Sequence, residues 1–285
     1  MEENKSTNTD AALFSHREEI EMDLLLEGVY RLSGYDFRNY MRSSIGRRIQ
    51  NRMRMEQIPT ISRLLEQAIY EPEMLDKLLN DFSINVTEMF RNPSFFKTFR
   101  EQVVPILKEL PAIRIWHAGC STGEEVYSMA ILLEEEGLAE RTHIFATDMN
   151  ERVLELAKQG RFVLNKMQNY TKNYFLSGGT RSFSEFYTTD ERFAYLKPEL
   201  LNNISFAQHN LVTDQSFNEF HVIICRNVLI YFTGALQNQV HHLFHESLCD
   251  GGFIGLGDKE SLKFTEVAYN YQEFNASEKI YRKIT

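Results

Sequence analysis

A chain of 285 residues with 43% hydrophobic and 25% charged residues can build a full core, as one large domain or two smaller ones. A net charge of -9 opposes nucleic-acid or anionic-membrane binding by the protein as a whole, so any such contact needs a local basic patch. No apolar run reaches the ~18 residues of a membrane helix, the start lacks the basic and apolar parts of a signal peptide, and Cys120, Cys225 and Cys249, never spaced as CxxC, suit a reducing cytoplasm.

Residues 1–15 are polar and featureless and are expected to be disordered. Residues 16–82 read as helices only. Ile20 to Leu32 has apolar residues at helical spacing and stops at Gly34. Asp36 is the expected cap of a second helix running to about Met55. Pro59-Thr60 starts a third and Pro72 a fourth, which together make a small bundle.

Residues 83–93 form a polar connector, and a helix is expected from about Ser94 to Leu110. Strands then alternate with helices over 94–285. Strands are expected at Ile113 to His117, Thr142 to Thr147, Ile204 to Gln208, Val222 to Cys225 and Phe253 to Leu256, the last entered by a Gly251-Gly252 turn. Helices are expected at Glu124 to Glu135, Glu151 to Lys158 and Leu236 to Leu248. Such alternation argues for a parallel α/β sheet. Arg181 to Lys197, rich in aromatic residues and without a helical stripe, reads as a β-rich insertion.

The first strand ends in His117-Ala118-Gly119-Cys120-Ser121-Thr122-Gly123, a loop of small residues opening a helix. Small residues let a ligand approach the backbone in the usual crevice of an open α/β sheet. A plain tight turn is the other reading. The loop is not GxGxxG, and Glu124 and Glu125 at the helix start would repel a pyrophosphate while tolerating a cationic sulfonium. Asp148 ends the second strand, where an acid can accept from two ribose hydroxyls or cap the next helix. Asn210-Leu211 and Arg226-Asn227 follow two further strands. His241 and His245 share a helix face, but no third ligand lies near them and no metal is expected.

Asn85-Val86-Thr87-Glu88-Met89-Phe90-Arg91, Gly119-Cys120-Ser121-Thr122-Gly123-Glu124-Glu125, Ala146-Thr147-Asp148, and Cys225-Arg226-Asn227 running into Ile230-Tyr231-Phe232 occur in this order and spacing. In these blocks the chain resembles the CheR-type chemotaxis-receptor methyltransferases, from roughly Leu24 to the C-terminus. The resemblance implies an α/β fold, with an all-helical N-terminal domain followed by a Rossmann-like S-adenosylmethionine-dependent methyltransferase domain with a small β-rich insertion. It implies methylation of glutamate side-chain carboxylates on a methyl-accepting chemoreceptor cytoplasmic domain, giving methyl esters and S-adenosylhomocysteine.

The same resemblance implies residue roles. Asn85, Thr87 and Arg91 reach the cofactor from the connector, Gly119 and Gly123 form its loop, and Glu125 meets its amino-acid end. Asp148 binds the ribose, Asn210 and Leu211 lie by the adenine, and Arg226 and Asn227 complete the pocket. Arg91 and Tyr231 face the incoming carboxylate and the transferred methyl. A cytoplasmic monomer is expected, without nucleic acid or membrane insertion. A non-catalytic module binding the same cofactor, or a methyltransferase with another substrate, would share this pocket.

The second predicted helix carries Arg38, Arg42, Arg47, Arg48, Arg52 and Arg54, with no acid between Phe37 and Met55. This cluster stands out against the acidic whole. The family resemblance implies that Arg47, Arg48, Arg52 and Arg54 face acidic receptor helices; an exposed face kept soluble by arginine is the alternative. Three features depart from the family pattern. Asp258-Lys259 interrupt Gly257…Glu260, Trp116-His117 stand where small residues are usual, and the insertion is longer.

Overall fold

The computed structural model describes residues 15–83 and 86–284. The expected disorder of residues 1–14 and the expected cofactor contact of Asn85 lie outside the described residues. The chain divides after residue 84 into two compact units.

The first unit holds α1 (His16–Ser33), α2 (Arg42–Met55), α3 (Ile61–Tyr70) and α4 (Pro72–Phe82). Ser15 opens α1 with a capping box to Glu18, and Gly34 closes it at φ 80°. Thr60 caps α3, and Pro72 sits in the first turn of α4. Asp36 does not cap α2. Its carboxylate takes the backbone N–H and the guanidinium of Arg38, and α2 starts later, at Arg42.

Two arginines of α2, Arg42 and Arg52, are paired with acids within this unit. Arg52 is buried, its guanidinium on Asp81 (2.7 and 2.9 Å) and Glu56 (2.9 Å). Arg48 donates to the Asp81 carbonyl (2.9 Å), and Arg42 pairs with Asp23. Acids from α1 and α4 thus supply the charge that the α2 sequence lacks. This corrects the expectation that Arg52 presents its charge to a partner. Arg47 and Arg54 are exposed and, two turns apart, lie on one side of the helix.

The second unit opens with α5 (Pro93–Thr98), a π-helical turn (Phe99–Val103) and α6 (Val104–Leu107) instead of one continuous helix. Pro105 supplies no N–H to the ladder, and Val104 N–H reaches back to Phe99 O. The main sheet contains β1 (Ile113–Ala118), β2 (Thr142–Asp148), β6 (Ile204–Gln208), β7 (Phe220–Cys225), β8 (Leu248–Leu256), β9 (Tyr271–Asn275) and β10 (Ile280–Lys283). Its order is β6-β2-β1-β7-β8-β10-β9, with β6 to β8 parallel and the last two strands antiparallel. Helices α7 (Glu124–Glu135), α8 (Glu151–Lys158) and α10 (Gly234–Ser247) connect the parallel strands. Asn150, not Asp148, caps α8. Gly251-Gly252 lie inside β8, where Gly251 at φ 76° accompanies a break in the register with β7.

The insertion is larger than Arg181 to Lys197. Its strand β5 (Phe193–Leu196) pairs with both β4 (Tyr187–Thr189) and β3 (Arg161–Val163), so the small sheet is β3-β5-β4 and encloses α9 (Met167–Leu176) in sequence. Among the described residues no helix is long and apolar enough to cross a membrane.

Candidate functional site

Parallel strands bring the carboxyl ends of β1, β2, β6 and β7 to one edge of the sheet, where ligand crevices form. The loop after β1 is fastened to β2. Gly119 and Cys120 donate to Thr147 O (2.8 and 2.9 Å), and Ser121 N–H donates to Asp148 Oδ2 (2.9 Å). Gly119 is required twice over. Its φ is 78°, and a Cβ there would meet Val228 at 2.6 Å. Asp148 also accepts from Asn150 N–H (2.9 Å), and burial pushes its carboxyl above the ordinary range against those donors. His209 N–H donates to Asp148 O (3.1 Å), which places buried Asn210 and Leu211 beside the acid.

Glu125 and Arg226 form the charged centre. Arg226 Nη1 donates to Glu125 Oε2 (2.9 Å) and His117 Nδ1 lies 3.2 Å from Oε1. An ionised carboxylate only accepts, so Nδ1 carries the proton. Burial alone would raise the Glu125 carboxyl, but His117 and Arg226 outweigh it and hold it below the ordinary range. Arg226 Nη2 also donates to Arg91 O (3.1 Å) and Asn92 Oδ1 (3.0 Å), and its guanidinium lies 4.2 Å from the Phe95 ring centroid. Arg226 therefore clamps the segment carrying Arg91 onto the sheet edge. Phe90 N–H, donating to Ser128 Oγ (2.8 Å), fixes the same segment from α7. Thr87 is half-buried on it.

The two glutamates at the start of α7 do not both face the loop as free negative charge. Glu125 is balanced by Arg226, and Glu124 is buried, accepting from Thr122 Oγ1 (2.6 Å) and Tyr170 OH (3.4 Å). Arg226 thus offsets one of the two charges expected to face the loop, and burial withdraws the other from it.

Asn227 follows Arg226 in the left-handed region, at φ 62°, as do Phe90, Asn92 and Ser121 nearby in the site. Positive φ in residues other than glycine persists where surrounding contacts enforce it, and functional sites concentrate it. Here the enforcing group is Glu260, which the spacing analysis passed over. It is buried, and its carboxylate accepts from the backbone N–H groups of Asn227 (2.9 Å), Val228 (2.9 Å), Leu229 (2.8 Å), Ile230 (3.3 Å) and Gly257 (2.6 Å). A Cβ on Gly257 would stand 2.7 Å from Glu260 Oε2, so glycine is what admits the carboxylate. The turn it holds ends at half-buried Tyr231.

The residues fit a ligand rich in donors. Asn227 Oδ1 is a buried acceptor without a donor among the described residues, which an ammonium or hydroxyl of a bound molecule would satisfy. Asp148, which accepts from the backbone N–H groups of Ser121 and Asn150, keeps lone pairs for further donors. His117 was passed over as a site residue and supports Glu125. Its neighbour Trp116 packs on Phe220 and Phe244 and donates from Nε1 to Thr147 Oγ1 (2.8 Å). His241 belongs to the core, where burial lowers its pKa to about 4.

Comparison with known proteins shows the family. The family model for the CheR methyltransferase SAM-binding domain matches residues 85–278, and that for the CheR methyltransferase all-alpha domain matches residues 20–83. A protein named Cher3 from Pseudomonas putida is 48% identical over 265 residues, covering 93% of this chain and 97% of that protein. A chemotaxis protein methyltransferase from Listeria innocua is 31% identical over 236 residues, covering 82% of this chain and 87% of that protein. One from Salmonella typhimurium is 28% identical over 244 residues, covering 82% and 81%. With both units matched, this chain belongs to the CheR methyltransferase family and is an S-adenosylmethionine-dependent methyltransferase.

Proposed function

We propose that the protein methylates glutamate side chains on the cytoplasmic domain of a methyl-accepting chemoreceptor, acting as a monomer in the cytoplasm. The observation that carries this reading is Arg91. Among the described residues its guanidinium has no carboxylate partner and donates to Val86 O (3.2 Å), while Arg226, which clamps its backbone, already pairs with Glu125 through Nη1 and donates to Arg91 O and Asn92 Oδ1 through Nη2. An incoming carboxylate would be the missing counterion. S-adenosylmethionine, when bound, supplies the methyl group on a sulfonium. Thr87, Gly119, Gly123, Glu125, Asp148, Asn210, Leu211, Arg226 and Asn227 hold it. A glutamate is already ionised near neutral pH, so no general base is needed and alignment is the main task. Arg91 holds one oxygen of the nucleophile, and Tyr231 shapes the approach.

The test is methyl-labelled cofactor with the receptor-containing membranes of the protein's own organism. Base-labile label on receptor protein is the expected result, and label on another class of molecule, or none, overturns the reading. Arg91→Ala should lower single-turnover methylation about a hundredfold, the equivalent of roughly 3 kcal/mol. Adenosylhomocysteine affinity should weaken far less than the rate, and melting temperature should hardly change. Near-normal turnover in that variant would remove Arg91 from the reaction.

Arg47 and Arg54 supply the exposed charge of α2 for docking on acidic receptor helices, with Arg48 beside them and Arg52 as internal support. Exposed pairs contribute about 0–1 kcal/mol each. Arg47→Glu with Arg54→Glu should therefore cut receptor methylation up to about thirtyfold at low ionic strength, and added salt should shrink the difference. Equal rates for wild type and double variant at every salt concentration would exclude docking by this face.

A further inference from the structure

Arg91 follows a strained residue, and the insertion holds that residue's backbone in place. Phe90 is fully buried and adopts φ 52°. A bulky side chain is rare in the left-handed region and stays there only where its surroundings enforce it. The Met89–Phe90 peptide is one rigid plane, turned by the torsions on either side of it. Its N–H donates to Ser128 Oγ of α7 (2.8 Å), and Ser128 donates in turn to Glu124 O (2.7 Å). Its carbonyl accepts from Asn173 Nδ2 of α9 (3.1 Å). Two helices thus grip opposite edges of one peptide, which cannot flip to relieve φ without breaking both bonds.

Asn173 is only 8% exposed, a polar side chain buried in the insertion. One turn earlier, on the same helix face, Asn169 Nδ2 donates to Glu88 Oε2 (2.7 Å). Tyr174 packs edge-on against the Phe90 ring, with centroids 5.4 Å apart. α9 therefore meets Glu88, Met89 and Phe90 in turn. It is itself fastened to α7, since Tyr170 OH donates to Glu124 Oε1 (3.4 Å) and Tyr174 OH to Glu135 Oε1. With Arg226 Nη2 on Arg91 O (3.1 Å), the backbone is fixed on both sides of Arg91.

We propose that Asn173 is a positioning residue for methyl transfer: through the Met89–Phe90 peptide it sets where Arg91 stands against the incoming carboxylate. This rests on the reading of Arg91 as the group that holds that carboxylate. In-line attack tolerates little displacement, and a shift of about 1 Å can cost about a hundredfold in rate. A functional side chain is placed well when rigid elements fix the backbone that carries it. The insertion thereby takes part in aligning the nucleophile, through a residue that touches neither cofactor nor substrate.

The experiment is a double-variant cycle read by single-turnover methylation of receptor-containing membranes at saturating labelled cofactor. Asn173→Ala should lower the rate about tenfold, while adenosylhomocysteine affinity weakens no more than about threefold. Asn173→Leu fills the space without a donor and should be as slow as the alanine variant. Once Arg91 is alanine, nothing remains to be positioned, so adding Asn173→Ala should lower the rate less than about twofold. A merely structural role predicts the same loss in both backgrounds. Ser128→Ala releases the other edge of the same peptide and should repeat the pattern, which keeps the test decisive even where Asn173→Ala does not fold. A wild-type rate in Asn173→Ala or Asn173→Leu, or an equal loss with and without Arg91, overturns this proposal alone. Near-normal turnover in Arg91→Ala overturns the reading of Arg91 and this proposal with it.

Discussion

Glu260→Ala is expected to destabilise the second unit by about 4 kcal/mol and to abolish measurable adenosylhomocysteine binding. The alanine removes the acceptor shared by the N–H groups of Asn227, Val228, Leu229, Ile230 and Gly257. A buried N–H left without a partner costs about 1–3 kcal/mol, and water entering the vacated space recovers part of that. Asn227 would also lose the contact that enforces its φ of 62°. Burial pushes the Glu260 carboxyl up while the backbone donors pull it down. Glu260→Gln keeps an acceptor oxygen but turns an NH2 group toward N–H donors, so it should fall between wild type and alanine. Chemical unfolding and calorimetry on both variants check this. Stability within about 1 kcal/mol of wild type, with the ligand still bound, would show that the loop holds itself.

Arg226→Ala is expected to cost a similar amount, about 3–5 kcal/mol, because removing one partner of a buried ion pair strands the other. The stranded group is Glu125, with His117 as its remaining partner. Adding Glu125→Gln should recover part of the lost stability, since the amide carries no charge and its oxygen still accepts from His117; the double-variant cycle isolates that coupling. Methylation should not recover, because the clamp on Arg91 O and Asn92 is gone. The pH dependence follows from the direction of the Glu125 shift. Its carboxyl titrates lower in the folded protein than in the unfolded chain, so its contribution is present above the unfolded carboxylate value and is lost as pH falls through the folded one. In Arg226→Ala that acid-side loss should shrink. An equally steep acid limb in both proteins would show that Arg226 does not set the Glu125 titration.

The sequence by itself determined the order of elements and the loops that carry the chemistry. Ser15, Gly34, Thr60 and Pro72 mark helix ends by local backbone chemistry, which needs no distant partner. The apolar strands β1, β2 and β7 precede loops whose residues are specified by position alone, Gly119 to Gly123, Asp148, and Arg226-Asn227. What the residues pair with was settled only by tertiary structure. β3 joins β5 across an intervening helix, and pairing partners far apart in sequence leave no local signal; the β9–β10 hairpin is local but carries no alternating pattern. The arginines of α2 looked like a docking stripe until α1 and α4 supplied Asp23 and Asp81. Glu124 and Glu125 looked alike until Tyr170 and Arg226 separated them. Glu260 looked like the end of a broken motif until its carboxylate met the backbone of another loop. A charge or hydrogen-bonding group is specified by sequence, but its energy depends on burial and on the partner within hydrogen-bond reach, and both are properties of the folded chain.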